Sequence, residues 1–301
     1  MNLWQRYIVA TSISDALQAL SSAPGPAFPI AGGTDLLLDL DQGRHSPAHT
    51  LVDLNSIDAL TAIERRGDHL FVGAAAPLSR ILQNPLVLEH AQALVEACYL
   101  IGGPQVRNVA TLGGNVAHAL PAADGTIALL ALDAFAQIAD RNGTRRVPLA
   151  HMFVGPGKSV LRVSEEILVG FELPLRNANE ASSFKRIMRP QGVALPIINA
   201  AVWLGMQGDT ILEARIAVGP GGPIPWRAHA AEQLLVDKTL SQGVVRLALD
   251  GLLADVGFRS SRRRASSEYR RHVIDSLFSE TITCAWGRAH QKADQHGRTQ
   301  Y

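Results

Sequence analysis

Two glycine pairs constrain this chain more than any other feature. The first, in "PIAGGTDLLLDL", places Gly32 and Gly33 after a short apolar run and before Thr34, a residue suited to cap a helix N-terminus. The second, in "TLGGNVAHALPAAD" (residues 111–124), places Gly113 and Gly114 in a stretch with almost no charge. Glycine lets the backbone adopt φ > 0 or come close to another group, because no Cβ stands in the way. Paired glycines also mark plain tight turns. Here polar side chains flank both pairs (Thr34 and Asp35; Thr111 and Asn115), and apolar runs lead into them and would hold them rigid. Loops of this kind hold phosphate through backbone N–H groups, each such bond being worth roughly 1.5–3 kcal/mol when one partner is charged. A pyrophosphate lying between two cradles, as in a dinucleotide, fits better than a single phosphate.

The segments around these loops read as an α+β chain. Residues 1–53 alternate strand and helix, as "RYIVA", "ISDALQALSS", "AFPIAGG", "TDLLLDLDQG" and "HTLVDL". A strand at 69–73, one broken and one longer helix across 77–101, a helix over 123–133 and strands near 134–140 and 144–148 follow, with further strands in "EEILVGFELP" and "SSFKRI". Strands and helices mix without a regular βαβ cadence, which favours α+β over a doubly wound sheet. The polar, Asn-rich "PLRNANEASS" (174–183) sets a boundary. Beyond it, "SSFKRI", "PIINAAVWLGM" and "TILEARIAVG", with helical patterns over 226–236, 241–255 and 266–286, make a smaller second domain of three strands and three helices. The expected division is 1–176, 177–287 and a flexible tail over 288–301, where polar residues lack periodicity.

Composition removes several function classes. With 28 Lys plus Arg against 27 Asp plus Glu, no global field draws the chain to nucleic acid or to an anionic membrane. The two cysteines, Cys98 and Cys284, match no CxxC or zinc spacing, so neither a disulfide framework nor a cysteine-ligated metal is expected. No signal-peptide h-region opens the chain, and the most apolar stretch, "TIALLALDAFAQIAD", is interrupted by Asp133 and too short to span a bilayer. A cytoplasmic protein is expected.

Other suggestive patterns fail on chemistry. "FVGPGKSVL" has Met152 where a P-loop needs its first glycine, and reads as a Gly-Pro turn. His45 and His49 stand four apart, but Pro47 disfavours a helix there and Ser46 occupies the place of a catalytic glutamate. "FRSSRRRASSEYRR" is basic yet poor in aromatics and precedes an apolar-periodic helix, so it reads as a solvated loop and helix start. No GxSxG elbow is present, and no GxGxxG follows a strand.

"AGGTDLL", together with "IGGPQVRNVATLGGNVAHALPAADGTIALLALDA", resembles the flavoprotein (medium) subunit of the molybdenum hydroxylases, the group that includes carbon monoxide dehydrogenase and the xanthine dehydrogenases. The two loops, their separation, the "QVRN" before the second and the aspartate after it are specific in combination. The resemblance continues through "EEILVGFELP", "SSFKRIMRP" and "ALPIINAAVWL" to about residue 287.

The resemblance implies an FAD-binding domain of the vanillyl-alcohol-oxidase (PCMH) type, in two α+β halves with the cofactor between them, then a small α+β C-terminal flavoprotein domain. On this basis Ala31, Gly32, Gly33, Thr34 and Asp35, with Thr111, Leu112, Gly113, Gly114 and Asn115, would wrap the FAD pyrophosphate. Asp124 would meet ribose or ribityl hydroxyls, with an ordinary helix N-cap as its other reading, and Leu168 and Lys185 would lie near the flavin ring. The chain would bind no metal and carry no catalytic side chain of its own. It would work with a small subunit carrying two [2Fe–2S] clusters and a large molybdopterin subunit, as a dimer of heterotrimers. Two cysteines cannot ligate one such cluster, which suits a chain that borrows its metals and excludes the extra cluster some members carry. "RIMRPQGVAL" departs from the pattern common at that strand, with Met188 and Pro190 in place of more usual residues, so the electron acceptor is not indicated. The competing readings are a self-contained flavoenzyme of the same superfamily and a scaffold subunit without cofactor.

Overall fold

The structure is a computed structural model that describes residues 3–189, 195–261 and 264–297, with 291–297 as backbone only. The alternation at the start of the chain is realised as β1 (Trp4–Val9), α1 (Ile13–Ser21), β2 (Ala27–Ile30), α2 (Leu36–Asp41) and β3 (Ala48–Asp53). Ser12 starts α1 by accepting the Asp15 N–H, and Ala16, Leu17 and Leu20 form the buried stripe of that helix. The strands make a parallel sheet in the order β1-β3-β2.

After α3 (Asp58–Thr61) come β4 (Ile63–Arg66) and β5 (His69–Gly73). The helical stretch expected as one broken and one longer helix is three helices: α4 (Leu78–Gln83), α5 (Pro85–His90) and α6 (Gln92–Leu100). The reason is local. Asn84 caps a new helix by accepting the Leu86 and Val87 N–H groups, and Pro85 at its first position cannot extend the preceding hydrogen-bond ladder. α7 (Pro104–Arg107), α8 (Leu112–Ala117) and α9 (Asp124–Ala131) lead into β6 (Phe135–Asp140), β7 (Gly143–Pro148), the short ribbon of β8 (Phe153–Gly155) and β9 (Lys158–Ser159), and β10 (Ile167–Pro174). The "GPGK" segment is therefore the turn of a hairpin, as expected. Five strands form an antiparallel sheet in the order β4-β5-β10-β6-β7. Every residue of α9 is buried, Asp124 included, so this helix runs through the core rather than over it.

The C-terminal part has β11 (Glu180–Ile187), β12 (Ile198–Gln207), β13 (Thr210–Gly219) and β14 (Trp226–Arg227) in an antiparallel sheet of that order, with α10 (His229–Leu235), α11 (Gln242–Asp255) and α12 (Ser267–Gly297). The helix expected over 226–236 begins only at His229, because Trp226 and Arg227 pair with Val218 and Ala217 as a fourth strand. β12 is buried on both faces. Ala201 and Trp203 pack into the core of the first part, while Ile198, Ala200, Val202 and Leu204 pack under α10–α12. The sheet thus forms a wall between its own helices and the preceding domain.

Two expectations about the C-terminal part need correction. The segment from residue 288, expected as a flexible tail, continues α12 to Gly297. Ala289 is buried and Arg288 reaches across to Glu96, so tertiary contacts hold the first residues of a stretch without apolar periodicity; residues 298–301 lie outside the described residues. The arginine-rich segment is not fully solvated either. Arg270 is buried and donates to the backbone carbonyls of Ile197, Arg259 and Ala265, while Arg262 and Arg263 lie outside the described residues.

Candidate functional site

The structure brings the two glycine pairs together. A Cβ on Gly32 would sit 2.1 Å from the Val109 carbonyl oxygen, so the absent side chain is what lets the first loop rest against the chain entering the second. Gly33 has φ +66°, the left-handed turn that re-aims the backbone into α2. Among the described residues, the N–H groups of Gly32, Gly33, Thr34 and Asp35 are donated to no protein acceptor. Thr34 and Asp35 are exposed and the two glycines half-buried, so these donors are available to a ligand.

The second pair behaves differently from the expectation of a matching loop. Thr111 is the N-cap of α8, and Gly113 and Gly114 lie in its first turn. Their N–H groups are already engaged: Gly113 donates to the Ala74 carbonyl at 2.9 Å, Gly114 to Thr111 Oγ1 at 3.1 Å, and Asn115 to the Thr111 carbonyl at 3.1 Å. A Cβ on Gly113 would lie 2.5 Å from the Ala74 oxygen, so that glycine serves close packing. Gly114 is exposed, and Thr111 Oγ1 is the single atom near the place of its missing Cβ. Among the described residues, the first loop carries the row of four successive unengaged donors. The second contributes an open floor beside it, and Leu112 is buried beneath that floor.

Asn115 turns inward, its Oδ1 accepting the Thr126 N–H at 3.2 Å, which ties α8 to the start of α9. There Asp124 is not the helix N-cap that was one of its sequence readings. It is the first residue of α9, after the N-cap Ala123, and makes no capping bond. Its carboxylate is buried, with Arg186 Nη1 2.5 Å from Oδ2 and Asn199 Nδ2 2.6 Å from Oδ1. Burial raises this carboxyl above its usual range, against the opposing pull of Arg186 and Asn199. Asp124 therefore joins the first part of the chain to β11 and β12. Arg186 Nε, Asn199 Oδ1 and Thr126 Oγ1 lie around it without hydrogen-bond partners.

Leu168 and Lys185 are not brought together. Leu168 is buried in β10 in the core that also holds Leu112, whereas Lys185 is partly exposed in β11 and its Nζ lies 3.5 Å from Glu280 Oε2 of α12. Successive residues of a strand face opposite ways: Phe184 and Arg186 face the first domain, Lys185 and Ile187 face α12. A cavity of about 240 Å³ at the β11 edge is lined by Leu100, Lys185, Arg186, Ser276 and Glu280 among others. A second, of about 390 Å³, shares Leu100 and Phe184 with it. Arg186 and Asn199 escaped the sequence reading. No spacing pattern links residues 62 and 75 positions apart, and "FKRI" held the only hint, a second cation beside Lys185.

These residues fit a dinucleotide. Four unspent N–H groups in a glycine loop suit a diphosphate, and Arg186, which belongs to the buried polar node with unpartnered donors and acceptors, also lines the mixed polar and apolar cavity at the β11 edge. No group of His, Cys, Asp and Glu among the described residues could hold a metal ion, no described helix is long and apolar enough to cross a membrane, and Cys98 and Cys284 are both free.

Comparison with known proteins agrees with this geometry. Residues 3–176 match the model of the FAD binding domain in molybdopterin dehydrogenase, and 182–285 match the CO dehydrogenase flavoprotein C-terminal domain. The chain is 34% identical over 289 residues to the putative xanthine dehydrogenase FAD-binding subunit XdhB of Escherichia coli, covering 94% of this chain and 97% of that one. It is 31% identical to the 6-hydroxypseudooxynicotine dehydrogenase complex subunit alpha of Paenarthrobacter nicotinovorans, over 94% of this chain and 95% of the relative. Among solved structures it superimposes on carbon monoxide dehydrogenase from Hydrogenophaga pseudoflava with a TM-score of 0.88 at 27% identity, covering 94% of this chain and 97% of that chain. With both of its domains matched and relatives spanning nearly its full length, the chain belongs to the FAD-binding subunits of the molybdenum hydroxylase family and is an oxidoreductase component.

Proposed function

We propose that this chain holds FAD between its first glycine loop and α8, and serves as the flavin station through which a molybdenum hydroxylase passes electrons to an external acceptor. The observation that carries the reading is the row of four N–H groups from Gly32 to Asp35 that no protein acceptor engages, in a loop that rests against the chain entering the second glycine pair. FAD supplies the redox chemistry, accepting electrons singly or in pairs, and the protein supplies placement and electrostatics. Ala31 to Asp35 would bind the diphosphate, with Thr111 to Asn115 shaping the opposite wall. Asp124, through its bonds to Arg186 and Asn199, would keep the start of α9 in register with the C-terminal sheet. Leu168 would support the cleft from beneath, and the cavity beside Lys185 and Arg186 would receive the flavin end. Residues 1–176 and 177–287 would be the two functional units.

The partners in this reading are a small subunit with [2Fe–2S] clusters and a large molybdopterin subunit, assembled as a dimer of heterotrimers in the cytoplasm. Support comes from relatives named as FAD-binding subunits or medium chains of dehydrogenases. The test is affinity purification of the tagged full chain from its native cell, followed by flavin, iron and molybdenum analysis. Stoichiometric FAD with iron and molybdenum in two co-purifying chains is the expected result. A colourless chain purified without partners would overturn the reading.

A further inference from the structure

The donor loop leaves the carboxyl end of β2, and a side chain just past the end of β3 reaches its first carbonyl. Asn55 Nδ2 lies 3.1 Å from the Ala31 oxygen and 2.7 Å from Asp53 Oδ1. A carbonyl and a carboxylate accept hydrogen bonds and donate none, so the amide must turn its NH₂ towards both. The Asp53 carboxylate is itself held. Its Oδ1 also accepts the Asn55 N–H at 2.8 Å, and its Oδ2 accepts the Tyr7 hydroxyl of β1 at 2.7 Å. Side chains from β1 and from the end of β3 thus converge on one peptide of the loop.

That peptide carries the Gly32 N–H. It is trans, and in a trans peptide the C=O and the following N–H point in opposite directions. With the Ala31 carbonyl drawn to Asn55, the Gly32 N–H is turned away from it, and among the described residues no protein acceptor takes that N–H. The same rule acts two residues on, where the Gly33 carbonyl accepts the Leu37 N–H at 2.9 Å and so turns the Thr34 N–H away from α2. The two carbonyls differ in what fixes them. Gly33 is held by the backbone ladder that starts the helix, whereas Ala31 depends on a side chain. A peptide next to glycine rotates easily, because no Cβ resists the change in φ. If the Ala31–Gly32 peptide turned over, a carbonyl oxygen would take the place of the first donor in the row and face the bound anion.

We propose that Asn55 is a positioning residue for the dinucleotide diphosphate: it pins the Ala31 carbonyl so that the Gly32 N–H stays presented to the anion, while Asp53 and Tyr7 brace its amide. The proposal rests on the FAD reading above. Asn55 is exposed, so water competes for the same carbonyl and the bond contributes only the net worth of one hydrogen bond. The chemistry of the position also fixes a sign. An aspartate there would have no donor for the Ala31 oxygen and would set a second carboxylate against Asp53, which favours the turned-over peptide.

The experiment is a titration of the flavin-free full chain with FAD, followed by flavin fluorescence, with urea unfolding of the same flavin-free variants alongside. Asn55→Ala should bind FAD roughly two- to tenfold more weakly than wild type at an unchanged unfolding midpoint. Asn55→Asp, nearly isosteric, should bind more weakly than Asn55→Ala. Tyr7→Phe should weaken binding in the wild-type chain and add nothing in Asn55→Ala, because it acts through the amide. Wild-type FAD affinity in Asn55→Ala, or a loss accounted for by the fraction of chain unfolded, would overturn the proposal while leaving FAD binding intact. Strict additivity of Tyr7→Phe and Asn55→Ala would overturn the bracing role. Should Asn55→Ala fail to fold, Asn55→Asp decides alone: an FAD affinity equal to wild type overturns the proposal. Absence of FAD binding by the wild-type chain would overturn the cradle reading and the proposal with it.

Discussion

Arg186 Nη1 lies 2.5 Å from Asp124 Oδ2, and both side chains are almost wholly buried. This pair crosses between the first residue of α9 and the penultimate residue of β11, and it couples the FAD-binding domain to the C-terminal sheet. Taking two charges out of water is costly, and the pair repays that cost only through close geometry and the added Asn199 bond. Removing one partner strands the other. Arg186→Ala and Asp124→Ala should each destabilise the chain by about 3–5 kcal/mol, measured by urea unfolding. The double variant should cost less than the sum of the two, and strict additivity would show that the residues do not act as a pair.

The two glycines of the second pair should respond unequally. Gly113→Ala places a Cβ 2.5 Å from the Ala74 carbonyl and should lower the melting temperature sharply. Gly114→Ala meets only Thr111 Oγ1 at 3.3 Å, a close contact with the hydroxyl that caps α8, which must give by a few tenths of an ångström. It should cost far less stability than Gly113→Ala while weakening FAD binding, because a methyl then occupies the exposed position. Differential scanning fluorimetry with and without FAD separates the effects; equal melting temperatures for the two variants would contradict the packing argument.

The acid limb of stability should depend on Glu166. Burial alone would raise its carboxyl, but the Arg162 N–H, the Arg162 guanidinium and Arg145 together hold it below the usual range. A depressed folded-state pKa means stabilisation that is complete above the unfolded-state value and is lost as pH falls through the folded one. Glu166→Gln should therefore lower the melting temperature near neutrality and narrow its gap to wild type below pH 4. A constant gap from pH 7 to pH 3 would show that the charge is not the source.

The far end of α12 should be a working contact. The Glu96 carboxylate accepts the Phe184 N–H at 2.7 Å and a bond from Arg288, whose Nη1 also donates to the Ser182 carbonyl at 2.8 Å. These bonds cover the otherwise open edge of β11. Arg288→Ala should cost about 1.5–3 kcal/mol, the range for hydrogen bonds to charged groups, and should speed amide exchange at Phe184. Unchanged exchange at that edge would make the contact incidental.

Lys185 separates a flavin role from a surface role. Its partly exposed bridge to Glu280 is worth little to stability, so Lys185→Met should leave the fold intact. If the flavin end occupies the neighbouring cavity, loss of the cation should lower the flavin reduction potential with FAD still bound. A potential identical to wild type would confine Lys185 to its Glu280 contact.

By itself the sequence determined the elements and the place of the cofactor domain. The periodic stripe of Ala16, Leu17 and Leu20, the strands 69–73 and 196–206, and the glycine pairs each write their structure locally, through side-chain spacing or a missing Cβ. What it left open was partnership over long separations. Gly113 looks like a ligand-facing residue in the sequence, yet its N–H and the place of its missing Cβ are taken by the Ala74 carbonyl, and the missing Cβ of Gly32 makes room for the Val109 carbonyl, contacts that no local pattern reveals. Asp124 reads as a cap or a ligand contact until β11 and β12 bring Arg186 and Asn199 against it. Arg288 and Ala289 read as tail because a helix held by tertiary contacts needs no apolar stripe of its own. Local rules govern what a residue can do to the backbone beside it. Only the folded chain decides which buried polar group meets which, because an unpaired one is costly and the whole packing must supply its partner.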